Sequence, residues 1–224
     1  MPHDIWAIIR DMFDQYFLHT FNNVGYLTTN VPKDILDAVN QEVNEIKDNF
    51  ESATPANTTL AGAIKHEYSL KKSTKLLEPL CVDLIKEFDK QFNFTKYIDI
   101  NNDLSVPWTV DAAWVNFQKK TEFNPVHCHT GALSFVIWLN IPYDLQTELD
   151  NSSEYHNDQK VTSCFQFVIS NSMGQLSVHT IPVDKSYEGK IMIFPSHMLH
   201  TVYPFYTSDD YRISVSGNLK KKIS

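Results

Sequence analysis

The sequence is poor in several residue types, and each shortage excludes a class of protein. It has three cysteines, Cys81, Cys128 and Cys164, whose wide spacing fits neither a disulfide framework nor a Cys-x-x-Cys metal motif. A reducing cytoplasm is therefore the expected setting. Its six glycines form no Gly-rich loop of the kind that cradles phosphates. No run of about 18 apolar residues occurs, so no transmembrane helix is expected.

Positive charge is also scarce. Lysine and arginine total 19 against 27 aspartates and glutamates, which gives a formal net charge of −8. Because nucleic acids and anionic membranes are bound through cations, we expect neither of them as a partner. With 224 residues, 42% of them hydrophobic, the chain is long enough for a single domain, 1–224, with a sizeable core.

Apolar spacing divides the chain into a helical part, about 1–95, and a strand-rich part, about 96–219. In the first part, apolar residues recur at helical intervals in three stripes, at 5–17, 35–50 and 76–92. In the second part, short segments rich in β-branched and aromatic residues alternate with turn residues. Strands are predicted at 108–118, 132–141, 164–169, 176–182, 190–194, 200–203 and 211–219. Helices followed by strands predict an α+β domain in which helices buttress an antiparallel sandwich or barrel.

The longest irregular stretch, 142–160, carries five acidic residues. A loop of this length is typically either a lid over a site or disordered, and the sequence leaves both interpretations open. Its negative charge is a weak indication of a cationic substrate or partner.

The histidines gather at two places in the strand-rich part. His127 and His129 are two residues apart, so on a strand both imidazoles point to one face. A third imidazole from a distant strand would complete a metal site. His197 and His200 are the candidates, and the start of a new strand after the corner at Pro195 favours His200. Three histidines also suit a zinc hydrolase, so the spacing alone does not identify the metal.

An arginine follows on the next predicted strand. Alternation along 211–218 places Arg212, Ser214 and Ser216 on one face. The separation of one hairpin brings Arg212 close to His200, and an arginine fork beside a metal can hold a carboxylate through two hydrogen bonds.

These motifs resemble those of the Fe(II)- and 2-oxoglutarate-dependent oxygenases. The family pattern is His-x-Asp/Glu, a distal histidine and Arg-x-Ser on a double-stranded β-helix (a jelly roll, cupin-like). The sequence is closer still to a subgroup common in marine bacteriophages and related to prolyl hydroxylases. The matching segments are Trp114–Asn116, Asn124–Ser134, Ile193–Pro204 and Arg212–Asn218. The resemblance implies a jelly roll with N-terminal buttressing helices. The expected setting is the cytoplasm, and a phage protein would act in the cytoplasm of the host cell.

The resemblance also implies a role for each matching residue. His127 would be the first iron ligand and His200 the distal one. Arg212 would bind the far carboxylate of 2-oxoglutarate with help from Ser214, and Asn116 would contact this co-substrate. The implied cofactors are Fe(II), 2-oxoglutarate and O2, and the implied reaction is hydroxylation of a second, prime substrate, either a peptide or protein side chain or a small molecule.

One position departs from the family pattern, because His129 stands where the family has a carboxylate ligand. We expect His129 to be the third ligand, since both neighbouring imidazoles are then used. In a second registration His129 is the first ligand and Gly131 takes the carboxylate position, which resembles the iron halogenases. A non-catalytic jelly roll that binds a metal or an acidic metabolite is a further alternative.

Cys128 is expected to point away from the site, as a small core residue.

Overall fold

The computed structural model describes residues 24–57, 60, 62–98, 106–151 and 161–222. Within these residues the chain forms ten strands and four α-helices. The strands are β1 (Leu27–Asn30), β2 (His66–Ser69), β3 (Trp108–Gln118), β4 (Asn124–His127), β5 (Leu133–Asn140), β6 (Phe165–Ser170), β7 (Leu176–Ile181), β8 (Lys190–Pro195), β9 (Leu199–Val202) and β10 (Arg212–Lys221). The helices are α1 (Lys33–Asp48), α2 (Ser73–Phe92), α3 (Thr95–Ile98) and α4 (Leu145–Asn151).

The strands form two antiparallel sheets. The larger sheet has the order β1-β8-β5-β10-β3-β2 and the smaller has the order β4-β9-β6-β7. The two sheets share an apolar core, to which β5 and β8 contribute from the larger sheet and β6 and β7 from the smaller. This is the jelly roll expected from the sequence.

Alternation along the central strands gives the larger sheet a second core on its other face. On β5, Val136 and Trp138 pack toward the smaller sheet, whereas Phe135 and Ile137 pack toward the helices. Because successive side chains of a strand point to opposite faces, one strand serves both cores. The polar residues of β10 follow the same rule, so Ile213 and Val215 pack with the helix-side residues and the residues between them face the smaller sheet.

Helices α1 and α2 cover the helix-side face of the larger sheet, as two of the three apolar stripes predict. The buried positions of α2 follow helical spacing and are Ser73, Leu77, Cys81, Ile85 and Phe88. Glu42 of α1 accepts hydrogen bonds from the backbone N–H groups of Lys71, Lys72 and Ser73 and so links the two helices. Burial alone would raise the pKa of Glu42, but these hydrogen bonds bring it below its usual value.

The structure adds two strands to the part of the chain that the sequence predicts to be helical. Strands β1 and β2 are four residues each and form the two edges of the larger sheet. The stripe at 5–17 lies outside the described residues. In the acidic stretch, Leu145–Asn151 forms α4, and 152–160 lies outside the described residues. No helix in the described part of the chain is long and apolar enough to cross a membrane.

Candidate metal centre and co-substrate pocket

Three histidines converge between the two sheets. His127 at the end of β4 lies directly opposite His200 of β9 in the strand register, and their ring centroids are 4.2 Å apart. His129 follows in the link to β5, with its ring centroid 4.9 Å from that of His127 and 5.0 Å from that of His200. One nitrogen from each ring lies within 4.8 Å of the others. Because β4 ends at His127, a turn rather than strand alternation brings His129 to the cluster.

Hydrogen bonds fix which nitrogen of two of these rings is free. His127 Nδ1 is 2.7 Å from the Pro125 carbonyl oxygen, and His200 Nδ1 is 2.9 Å from that of Met198. A carbonyl only accepts, so both Nδ1 atoms carry the proton and donate it. Each Nε2 therefore keeps its lone pair, which is the arrangement found in metal-binding histidines.

The surroundings keep all three imidazoles neutral at pH 7. Burial, and to a smaller extent repulsion among the histidines, lowers the pKa of His200 to about 3 and that of His129 to about 4. Burial also lowers the pKa of His127. Since only an unprotonated imidazole can bind a metal, the cluster is ready to take a cation without first releasing protons.

The other residues of the two histidine motifs are not members of the cluster. His197 is exposed in the turn between β8 and β9. Cys128 is also exposed, so its expected place in the core is wrong, because the strand on which that expectation rested has already ended. Gly131 has φ +94°, and a Cβ there would lie 2.9 Å from the Leu219 carbonyl oxygen, so the backbone itself requires a glycine at this position.

A narrow cavity of about 50 Å³ extends inward from the cluster between the sheets. All six residues singled out in the sequence line it, namely Asn116, His127, His129, His200, Arg212 and Ser214. Asn116 on β3 donates from Nδ2 to the Ser214 hydroxyl on β10, at 3.3 Å. Its Oδ1 is buried and has no hydrogen-bond partner among the described residues.

Arg212 is buried, with 3% of its surface exposed, and sequence reasoning missed the residues that surround it. Its guanidinium donates to the Gln118 Oε1, the Tyr143 hydroxyl, and the carbonyl oxygens of Ser163 and Tyr203. Alternation on β3 could have placed Gln118 beside Asn116 on the inward face. Tyr143 and Ser163 come from connecting segments, where no periodicity predicts a direction.

A wider cleft of about 470 Å³ reaches two of these histidines from outside. It is lined by His127 and His129 together with Pro55, Ala56, Leu60, Asp111 and Trp114. The Trp114 ring also contacts that of His129, with centroids 5.6 Å apart. The histidine cluster therefore lies between an inner cavity that ends at Arg212 and an outer cleft open to a larger molecule.

The jelly roll, the histidine cluster and the arginine in the same cavity agree with the arrangement that the resemblance to the Fe(II)- and 2-oxoglutarate-dependent oxygenases implies. Residues 112–218 match the family described as "Putative 2OG-Fe(II) oxygenase", and this match, together with the fold, indicates an oxidoreductase of that kind. The enzymes of this family use Fe(II), 2-oxoglutarate and O2.

Solved structures with the same fold include several enzymes of this kind. A prolyl-4-hydroxylase from Pseudomonas putida is 13% identical, with 97% of this chain and 99% of that chain covered and a TM-score of 0.55. A Trichoplax adhaerens prolyl hydroxylase in complex with a hypoxia-inducible-factor peptide fragment is 12% identical, with 97% and 93% covered and a TM-score of 0.53. An oxidoreductase of the 2OG-Fe(II) oxygenase family from Burkholderia pseudomallei is 12% identical, with 89% and 86% covered and a TM-score of 0.51. A search of curated protein sequences gave no match.

Proposed function

We propose that this oxygenase holds Fe(II) on His127, His129 and His200, binds the far carboxylate of 2-oxoglutarate at Arg212, and hydroxylates a prime substrate bound in the outer cleft. The observation that carries the proposal is the convergence of three neutral imidazoles, within 4.8 Å of one another, at the junction of the two cavities. When bound, Fe(II) activates O2 at the expense of 2-oxoglutarate.

The protein's part in the metal centre is to supply lone pairs at fixed positions. The Pro125 and Met198 carbonyls hold the His127 and His200 rings in the tautomer that leaves Nε2 free. Phe165 lies parallel to the His200 ring, with centroids 5.4 Å apart, and further restricts its rotation. Three histidines supply no negative charge, so the site offsets less of the metal's charge than a site with a carboxylate and still leaves coordination positions open.

The protein's part in binding 2-oxoglutarate is to supply one buried positive charge. Arg212 is on the larger sheet, whereas His127 and His200 are on the smaller sheet, and both groups line the inner cavity. A dicarboxylate that reaches from the metal to Arg212 would span the gap between the sheets. Asn116 and Ser214 lie along this path and offer an amide and a hydroxyl to it.

The prime substrate, in this proposal, is a peptide or protein side chain or a small molecule that reaches the histidines through the outer cleft. The cleft supports a substrate larger than the co-substrate, since it is about 470 Å³ against about 50 Å³ for the inner cavity. A prolyl hydroxylase of the same fold that is bound to a peptide fragment also supports this reading. The three free cysteines support a reducing cytoplasm as the setting.

The test combines binding and turnover. With Mn(II) in place of iron and O2 excluded, calorimetry on the wild-type protein should detect 2-oxoglutarate binding that depends on the metal. With Fe(II) and air, the protein should release succinate from 2-oxoglutarate, slowly without a prime substrate and faster when the right one is added. The proposal would be refuted if neither 2-oxoglutarate nor its analogues bind in a metal-dependent way and no succinate is released.

A further inference from the structure

The guanidinium of Arg212 has no free donor. All five of its N–H groups are used: Nε and Nη2 donate to Gln118 Oε1 at 3.0 and 2.7 Å, Nη2 donates also to the Tyr203 carbonyl at 2.9 Å, and Nη1 donates to the Tyr143 hydroxyl and the Ser163 carbonyl at 3.1 and 2.8 Å. An anion that is to contact Arg212 must therefore displace at least one of these acceptors.

The acceptors are all neutral, so the buried charge of Arg212 has no counter-ion among the residues that the structure describes. The ion pairs found within the described parts of the chain do not include Arg212. The rings of Phe205 and Tyr143, whose centroids are 5.6 and 5.9 Å from Arg212 Cζ, compensate part of the charge. A buried charge without an ion of opposite sign is costly, which favours the arrival of an anion.

The cavity is too small for 2-oxoglutarate as it stands. Its volume is about 50 Å³, whereas a cavity known to bind benzene, a smaller molecule, measures about 150 Å³. A side chain that lines the cavity must therefore move when the co-substrate enters. Ser163 is at the Arg212 end, and its hydroxyl is buried without a hydrogen-bond partner among the described residues, so this end already holds one unused donor for an anion.

Of the four acceptors, Gln118 is the one that an anion can replace most directly. The Ser163 and Tyr203 acceptors are backbone carbonyls, and the backbone N–H groups of the same two residues are tied to Pro204 and Cys164. The Tyr143 hydroxyl donates to the Val183 carbonyl at 3.2 Å and its ring is buried. Gln118 Oε1, by contrast, belongs to a side chain that is held elsewhere by one hydrogen bond, from Nε2 to the Glu122 carbonyl at 2.5 Å.

The geometry of the Gln118 contact matches what a carboxylate would make. Gln118 Oε1 accepts hydrogen bonds from both Nε–H and Nη2–H of Arg212, which form one edge of the guanidinium fork. A carboxylate bound to that edge would use one oxygen for each N–H, as in the bidentate pairs that arginine prefers. Gln118 lies directly across from Arg212 in the β3–β10 register, so its amide occupies this edge as a neutral substitute.

We propose that Gln118 is the acceptor that the far carboxylate of 2-oxoglutarate displaces from Arg212, so that the side chain at position 118 sets the affinity for the co-substrate. This inference rests on the proposed function. It assigns to Gln118 two effects: it keeps the guanidinium in position when the co-substrate is absent, and it competes with the co-substrate for the same two N–H groups.

The test compares two substitutions of Gln118. If Gln118 had a purely structural role, both substitutions would change the affinity for 2-oxoglutarate in the same direction. Gln118→Glu keeps the shape and adds a charge that pairs permanently with Arg212, so 2-oxoglutarate should bind at least about tenfold more weakly. Gln118→Leu removes the competing oxygen, so 2-oxoglutarate should bind more tightly, by about three- to tenfold. Both are measured by calorimetry with Mn(II) and without O2, alongside the Mn(II) affinity itself, which should not change.

A matched control and a second measurement keep the outcomes distinct. Gln166→Glu makes the same change at a buried glutamine on β6 that bonds Thr180 instead of Arg212, and it should leave 2-oxoglutarate affinity unchanged. Gln118→Leu should melt at a lower temperature than wild type without ligand, yet gain more stability from added 2-oxoglutarate. Weaker binding in both Gln118 variants, or unchanged binding in Gln118→Glu, would overturn the inference. A wild-type protein that does not bind 2-oxoglutarate would instead overturn the proposed function.

Discussion

His127 and His200 face each other across the β4–β9 pair, with ring centroids 4.2 Å apart. Two of the three candidate ligands are therefore positioned by one antiparallel strand pair, and their separation is set by the spacing between hydrogen-bonded strands. His129 alone depends on the conformation of a turn.

Replacing His200 with alanine should weaken binding of Fe(II), or of Co(II) as a spectroscopic probe, by more than about 100-fold, because changes to the groups around metal ligands alone cost 10- to 100-fold. His197→Ala is the control, since His197 is exposed in the turn, and it should bind metal normally. The visible absorption of the Co(II) protein reports both affinities. Normal binding in His200→Ala with loss in His197→Ala would show that the distal ligand is His197.

Arg212→Lys should weaken 2-oxoglutarate binding by about 10- to 150-fold and leave metal affinity unchanged, because an ammonium cannot reproduce the two-pronged hydrogen bond to a carboxylate. The other arginine, Arg10, lies outside the described residues. Anaerobic titration with 2-oxoglutarate, with Mn(II) bound, measures the effect. An affinity equal to that of wild type would remove Arg212 from the co-substrate site.

Glu67 on β2 should make stability fall as the pH rises from about 4.5 to 7. Burial, reinforced by Glu122, raises its pKa from 4.5 to about 7, so the folded protein binds more protons than the unfolded chain in that window. Glu67→Gln removes the ionisable group while keeping an oxygen for Asn57 Nδ2, which lies 3.1 Å from the carboxylate. This variant should match wild type near pH 5 and be more stable by up to about 3 kcal/mol at pH 8.

Urea unfolding of both proteins at several pH values measures this difference. The comparison is needed because the histidine cluster acts with the opposite sign. With their pKa values lowered by burial, these histidines make the folded state more stable as the pH rises toward 6.5. A constant stability difference between wild type and Glu67→Gln from pH 5 to pH 8 would contradict the raised pKa of Glu67.

Gly217→Ala should destabilise the fold by at least about 1–3 kcal/mol through overpacking. A Cβ at this position in β10 would lie 2.5 Å from two ring atoms of Phe135 and 2.7 Å from the Ala112 carbonyl oxygen. Gly174→Asn is the control, because Gly174 has open space around it and a φ of +77° that asparagine tolerates. Thermal unfolding should separate the two variants, and an unshifted melting temperature in Gly217→Ala would contradict the close contact.

The strands that the sequence predicted are those with the most sustained patterns. Strand β3 occupies the predicted 108–118, and β5 and β8 differ from prediction by about one residue at their ends. Their apolar residues serve two cores, so long runs of β-branched and aromatic side chains mark them. Strands β1, β2 and β4 have four residues each, too few for a period of two to stand out, and were missed. Strand β9 is as short but was predicted because it follows the corner at Pro195.

The candidate site residues that could be predicted are those for which both the side-chain chemistry and the spacing in the sequence indicate a role. The histidines and Arg212 were found because few side chains can bind a metal or a carboxylate in that way. The residues around Arg212 were not, because Tyr143 and Ser163 reach it from connecting segments, and contacts across such distances in the sequence leave no periodic signal. Cys128 was misplaced because alternation was extended beyond the end of β4.

The position of β10 governs when this enzyme can fold. It is the last of the ten described strands, yet it lies between β5 and β3 at the middle of the larger sheet. A ribosome delivers the chain from its N-terminus at about 5–20 residues per second, so β3 and β5 emerge long before the strand that joins them. Until residues 212–221 leave the exit tunnel, β3 and β5 each have an unpaired edge, and the helix-side core lacks Ile213, Val215 and Leu219. Folding of the larger sheet therefore waits until residues 212–221 have emerged, and Arg212 arrives with the strand that completes the sheet.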